Sequence, residues 1–460
     1  MMCETVKVGI AGVNITPSVG EDIIADYLRL VPAKGIGNEL YAKAMVLDDG
    51  EDRVAIITAD IIQFTDVLIK DICERVKSLT GIDGVNTLLS ASHTHSSPAI
   101  HKRDRPSEEY LIELAKKIAG VVYMADQSKH EALIGFGFGE AKVSINRWQK
   151  TPTGVRWGPN PDGPIDYEVG VLRIDDLNRR PMGILVNFAS HPSIMGGNNL
   201  LYSGDYVSYV QSVIEKVYDQ GVKAMFCTGA GGDVKIALLT EDGLRFRYGS
   251  LEDCRRFGTI IAAEAIKVAE MIKTKPVNKV HAKTMKVMFP LVDLPSIEDV
   301  EKELEALRRQ VAELEAKGAR TDEVRLHLNW AETTLAQLKK GTAPRSIPAE
   351  VQLIRIGDEI ALFAVPGELF VEVGLKLKRA MRRSVPGSFV VAYANGSIGY
   401  LPSKRAEENG WCRHDDSYRL SLRPANFSGE IENVLLRAVE EMLKNKTTQH
   451  VVINSNYTCN

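Results

Sequence analysis

The feature that most restricts the fold is an alternation. Short β-branched runs bounded by Gly, Pro or Asp, such as VKVGIAGVNITP, ELYAKAMVLDD and RVAIITADII, give way to amphipathic segments such as TDVLIKDICERVKSLTG and SEEYLIELAKKIAGVVYMADQS. The exchange continues through PMGILVNFASHP, DYVSYVQSVIEKVYDQG, KAMFCTGAGGDV and SFVVAYANGSIGYLP. Runs of strand character read against helical spacing of 3.6 predict strands and helices in turn. Interleaved elements of this kind predict an α/β protein: a mixed β-sheet core flanked by helices. Within it, ALIGFGFGEAKVSINRW reads as a strand pair, and Thr65 and Gly81 bracket the first helix as cap and stop.

One segment departs from the alternation. Val300, Leu304, Leu307, Val311 and Leu314 step by four and three, and so do Val324, Leu328, Ala331, Leu335 and Leu338. Each set makes one apolar seam on a helix. Lys317 to Thr321 breaks the two, with Thr321 as N-cap. The expectation is an inserted antiparallel helical hairpin at 296–340, in a catalytic domain formed by 1–295 plus 341–450, with 451–460 as a tail. The seams either bury one another or serve as an arm for a homo-oligomer or a lid.

Composition excludes several classes. Hydrophobic residues at 44% and charged residues at 25% are ordinary for a globular chain, and a net charge of −3 gives no basic face for nucleic acid. No run reaches the apolar length of a membrane span, so no membrane anchor is expected. Six dispersed cysteines without a CxxC pair, and an opening with no signal-peptide pattern, lead to the expectation of a cytoplasmic protein with reduced thiols.

Three of the nine histidines fall in LLSASHTHSSPAIHKRD: His93, His95 and His101. Residues two apart on a strand share a face, so His93 and His95 would point together if the strand persists through them. Two imidazoles at a strand end suit a metal, although HxH alone is not specific. His191 in VNFASHP, Glu368 in AVPGE and Tyr400 in SIGYLP each also stand just past an expected strand, where α/β folds collect their sites. His101, His130, His281, His327 and His450 read as solvated. His414, in WCRHDDSYR, could form an imidazole–carboxylate pair at the rim.

The order ASHTHSSP, NFASHP, SGDYVSYV, GAGGDV, VPGE and GYLP, between VGIAGVNITP and FSGEIENVLL, resembles the catalytic domain of the neutral/alkaline non-lysosomal ceramidases. The resemblance spans nearly the whole chain outside the hairpin. It implies zinc held by His93, His191, Glu368 and Tyr400, with His95 beside the metal and Arg147 of the INR motif pointing into the site. Two neutral imidazoles and one carboxylate would leave the ion a net positive charge.

The chain departs from the family at one position that matters. The family carries its nucleophilic serine in GDVSPN, whereas this chain reads Gly232-Asp233-Val234-Lys235-Ile236-Ala237. An ammonium about 5 Å from a divalent ion would be repelled by roughly 7 kcal/mol at an effective dielectric near 20. Lys235 should therefore pair with Asp233 or an anionic substrate, lose its proton, or point away. The expected function is zinc-dependent hydrolysis of a small amide, ester or lactone, rather than ceramide, by metal-activated water. His95 would move the proton, and Arg147, Lys235 and Asp233 would assist. The glycines at 229–232 make either an oxyanion cradle or a tight turn. Two other classes use the same residues: a lyase or isomerase with His95 or Lys235 as proton carrier, and a metal-binding scaffold without activity.

Overall fold

The computed structural model describes residues 5–26, 29–100, 108–152, 154–219, 221–444 and 450–452. His101, Cys3, Cys459 and most of the expected tail lie outside them.

The long strands build two main sheets, with smaller ones beside them. The larger runs in the order Lys223–Thr228, Pro181–Phe188, Glu168–Asp176, His130–Glu140, Lys7–Asn14, Tyr41–Asp48, Arg53–Ala59, Thr87–Ala91. Its middle is antiparallel, and the pair at each edge is parallel. The second sheet runs Gly387–Val391, Ile360–Ala364, Ser346–Ile356, Val280–Pro290, His450–Val452. Helices cover the outer faces, giving four layers. Alternation along each strand shows why. In Tyr41–Asp48, Met45 and Leu47 face the second sheet's Ile354 and Leu362, while Ala42, Ala44 and Val46 face the helices. Small residues let those helices approach closely: a Cβ at Gly9 would lie 1.9 Å from the Ala125 carbonyl oxygen.

The two halves of the large sheet share only two residue pairs, Lys7 with Glu131 and Val8 with His130. At the other end its outer strands come together, and the Thr228 hydroxyl donates to the Ser92 carbonyl at 2.8 Å. Three parallel pairs, one at each edge of this sheet and one (Ile360–Ala364 with Gly387–Val391) in the second, thus carry their chain ends to one region.

ALIGFGFGEAKVSINRW does not form a pair. His130–Glu140 belongs to the large sheet, whereas Ser144–Thr151 joins a separate three-stranded sheet with Gly154–Asn160 and Val234–Ile236. The turn at 141–143 is tied elsewhere, by Ala141 N to Tyr167 O at 2.9 Å and Ala237 N to Val143 O at 2.8 Å. His130, read as solvated, is exposed at the start of a strand.

The helical hairpin comprises Ile297–Ala316 and Asp322–Lys339. Its seams bury one another: Val300, Leu304, Leu307 and Ala331 pack with Val324, Leu328, Leu335 and Leu338. Thr321 stands at the N-cap position but makes no capping bond; its hydroxyl accepts instead from Arg325 at 3.1 Å. Trp330 docks the hairpin on the rest of the chain. It is 1% exposed, its indole N–H donates to the Arg423 carbonyl at 2.6 Å, and it packs edge-on against Tyr418. Among the described residues no helix is long and apolar enough to cross a membrane.

Candidate metal centre

His93 and His95 do converge, but not by strand alternation. The strand ends at Ala91, and His93 takes a left-handed backbone (φ 65°). The turn still brings the rings edge to face, with centroids 5.0 Å apart. The His95 backbone N–H donates to the Pro192 carbonyl at 3.1 Å, which ties this turn to the one bearing His191. The His93 and His191 rings are 4.7 Å apart. Glu368 follows the second sheet's Ile360–Ala364 strand and pairs with Tyr400 in a separate two-residue parallel ladder. The PGE and GYLP segments are thus adjacent backbones.

The second nitrogens of the rings decide what the cluster can do. His93 Nδ1 lies 2.7 Å from the Ile62 carbonyl, and His191 Nδ1 lies 2.6 Å from the Gly231 carbonyl. A carbonyl oxygen only accepts, so each Nδ1 carries the proton of the neutral ring. Each Nε2 is then a lone pair. His93 Nε2 is 3.4 Å and His191 Nε2 is 3.1 Å from Glu368 Oε2. Three acceptors therefore face one another, and Glu368 Oε2 has no hydrogen-bond donor. Burial, then the Arg147 charge, pushes His191 down to about 3, so its imidazole is neutral at ordinary pH. Burial and the neighbouring imidazoles also push His95 well below the usual value. The ligating nitrogens of His93, His95 and His191 all lie within 4.8 Å of one another and could hold a metal ion. Lone pairs fixed by backbone carbonyls beside an ionised carboxylate fit a divalent cation.

The surrounding residues fall into place as follows. Arg147 Nη2 is 3.2 Å from His191 Nε2, and it donates to the Tyr400 hydroxyl at 2.9 Å and the Gly232 carbonyl at 2.6 Å. Tyr400 thus meets the centre through Arg147. Asp233 does not pair with Lys235. Its carboxylate accepts from Val371 N at 2.7 Å and Asn146 Nδ2 at 2.9 Å, and its carbonyl accepts from Arg147 N at 2.9 Å. It fastens the Arg147 strand to the segment after Glu368. Lys235, paired across a parallel bridge with His191, reaches the Ser193 carbonyl at 3.5 Å and the faces of Phe246 and Trp157. Burial, then Arg147, lowers its ammonium to about 8.

The glycine turn is not a cradle. Gly229, Gly231 and Gly232 donate their N–H groups to Phe188, Gly229 and Leu369 carbonyls at 2.9, 2.8 and 2.8 Å. Glycine is needed because a Cβ at Gly232 would lie 2.2 Å from the Glu368 carbonyl oxygen. Trp411 is buried against Phe370 and Tyr400, while His414 is exposed. A cleft of about 490 Å³ lies on the other face of the Arg147 strand, lined by Asn146, Trp148 and Lys150.

Tyr393 escaped the sequence reading. Its ring stacks on His93 at 4.2 Å, and its hydroxyl lies 3.2 Å from His191 Nδ1. Its position two residues past SFVV was the available signal. Asp205 escaped too: its carboxylate accepts from Ile194, Met195 and Tyr206 N–H groups, fixing the loop after His191.

Fold and centre together define a class: an α/β protein whose strand ends gather imidazoles and a carboxylate. Residues 6–240, half of the chain, match the family described as neutral/alkaline non-lysosomal ceramidase, N-terminal. The chain belongs to that family. It is 25% identical over 255 residues to a neutral ceramidase of Drosophila pseudoobscura pseudoobscura, covering 50% of this chain and 36% of that protein. Neutral ceramidase B of Dictyostelium discoideum is 25% identical over 238 residues, 46% of this chain and 32% of that one. The matched region thus spans about a third of these relatives. The fold resembles the neutral ceramidase of Pseudomonas aeruginosa, with a TM-score of 0.72 at 18% identity, covering 98% of this chain and 77% of that one.

Proposed function

We propose that the chain is a zinc-dependent hydrolase of a small amide, ester or lactone. The observation that carries this reading is the set of three acceptors, His93 Nε2, His191 Nε2 and Glu368 Oε2, held together without a hydrogen between them. These residues would hold the ion, with His95, whose ring belongs to the same cluster, as a further donor and Tyr400 joined to it through Arg147. Such an ion, when bound, supplies Lewis acidity and lowers the pKa of water. His95 Nε2 is buried without a partner, so it is placed to accept a proton from the attacking water and return it to the leaving group. Arg147 donates through Nη2 to the Gly232 carbonyl and the Tyr400 hydroxyl, and so positions Tyr400 beside the centre. Asp233 is a positioning residue.

The relatives' names say ceramidase, and the Lys235 side chain argues for a different substrate here. Free thiols at Cys73, Cys227, Cys254 and Cys412 support a cytoplasmic setting. Since the hairpin's seam is consumed within the chain, any self-association through it would use the charged outer faces. Turnover of an amide, ester and lactone panel in ¹⁸O water, with and without a chelator, tests the reading. Hydrolysis lost on chelation and restored by zinc is expected. Turnover without ¹⁸O in product would favour a lyase or isomerase; turnover of nothing, a scaffold.

A further inference from the structure

Lys235 and Arg147 are two buried cations, 8% and 2% exposed. Neither has a carboxylate within ion-pair distance among the described residues. Arg147 spends its Nη2 on two neutral oxygens, and its Nε is buried with no acceptor. Lys235 has one long bond, to the Ser193 carbonyl at 3.5 Å. Both charges lie over the Trp157 indole, at 4.6 Å for Arg147 and 5.9 Å for Lys235. The contrast lies elsewhere in the chain. Buried Lys43 meets Glu215 at 2.6 Å, and buried Lys378 meets Asp166 at 2.7 Å. A buried charge without a counterion is costly, and aromatic faces offset only part of the lost hydration. Within the chain the Asp205 carboxylate acts on Lys235 only from beyond ion-pair distance, which leaves room for a counterion from outside. Trp157 is 49% exposed, so the pair is reached past a solvent-facing ring.

We propose that Lys235 and Arg147 form a carboxylate subsite beside the centre, so that the substrate is an amide or ester carrying an acid group, of the N-acyl amino acid type. This rests on the hydrolase reading for the scissile bond but not for the charge. Lys235 replaces a nucleophile with an anchor: it binds the acid group while the water attack occurs at the neighbouring carbonyl. The Trp157 indole lies against both cations at the edge of this subsite.

The test is binding. Dissociation constants of N-acetylglycinate and of uncharged N-acetylglycinamide are measured by calorimetry on the purified protein. The carboxylate should bind about tenfold tighter or more, the scale of a hydrogen bond to a charged group. Lys235→Met should abolish that preference without changing the affinity for the amide, and Lys235→Arg should keep it. Equal affinities in the wild type, or a preference that survives Lys235→Met, would overturn the proposal; the second result would place the charge on the metal instead. Should Lys235→Met not fold, the wild-type comparison still decides. A wild type that takes up no zinc from excess yet keeps the preference would sink the hydrolase reading and leave this one standing.

Discussion

Replacing Glu368 with Gln should raise the stability of the metal-free protein, because the wild-type centre without an ion is three acceptors in contact. Glu368 Oε2 stands 3.4 and 3.1 Å from two ring lone pairs. An amide nitrogen at that place brings two hydrogens toward them. Each new hydrogen bond contributes about 0.5–1.5 kcal/mol net. Arg147 Nη2, already 3.2 Å from His191 Nε2, relieves part of the conflict beforehand. The net gain is therefore about 1–2 kcal/mol. A chain of 460 residues unfolds with an entropy of about 1 kcal/mol per kelvin, so Tm rises by about 1–2 °C. Zinc at about a thousand times Kd adds ~4 kcal/mol to the wild type. The variant has lost the carboxylate and directs donors at the ion's place, so it gains nothing. The two melting curves, recorded by calorimetry at pH 8, should cross in order between chelator and zinc. A Gln variant less stable than the wild type in chelator, or one shifted equally by zinc, would refute the reasoning.

Three further outcomes follow from the packing. Lys378 is bound to Asp166 and Glu168 at 2.7 and 2.8 Å, so Lys378→Met should cost about 3–5 kcal/mol in guanidinium unfolding at pH 7. Burial raises the Glu168 carboxyl, but Arg382 and Lys378 outweigh it and the folded value is depressed. Its stabilisation is present above the unfolded carboxyl range and lost as pH falls, so the wild-type advantage over the variant should shrink toward pH 4. Gly232→Ala would press a Cβ to 2.2 Å from the Glu368 carbonyl oxygen; a stability loss of about 1–3 kcal/mol and reduced zinc content by elemental analysis are expected. Trp330→Ala should loosen hairpin docking by about 3–5 kcal/mol, seen as faster hydrogen exchange across Ile297–Lys339, with zinc content unchanged.

Much of the arrangement was legible because chemistry at strand ends leaves local marks. His93, His191, Glu368 and Tyr400 each follow an apolar run, and the parallel strand pairs carry those ends to one region. The seams of the hairpin were legible for the same reason, since a heptad is a local period. What was not legible depends on contacts distant in sequence. The left-handed backbone at His93 cannot be read from HTH, so strand alternation gave the right convergence for the wrong cause. The N–H groups of Gly229, Gly231 and Gly232 looked free for an anion, but their acceptors come from other segments. Trp330 broke no period and so went unremarked, although its partner Arg423 lies 93 positions away. The pairing of Lys235 with Asp233 failed because the Asp233 carboxylate is taken by Asn146 and Val371.

The most direct measurement is zinc stoichiometry of the purified full chain by mass spectrometry of the elements, with His93→Ala, His191→Ala and Glu368→Ala beside it. One equivalent in the wild type, and far less in each variant that remains folded by circular dichroism, is the predicted result. A folded wild type that takes up no zinc from excess, or variants that keep a full equivalent, would contradict it.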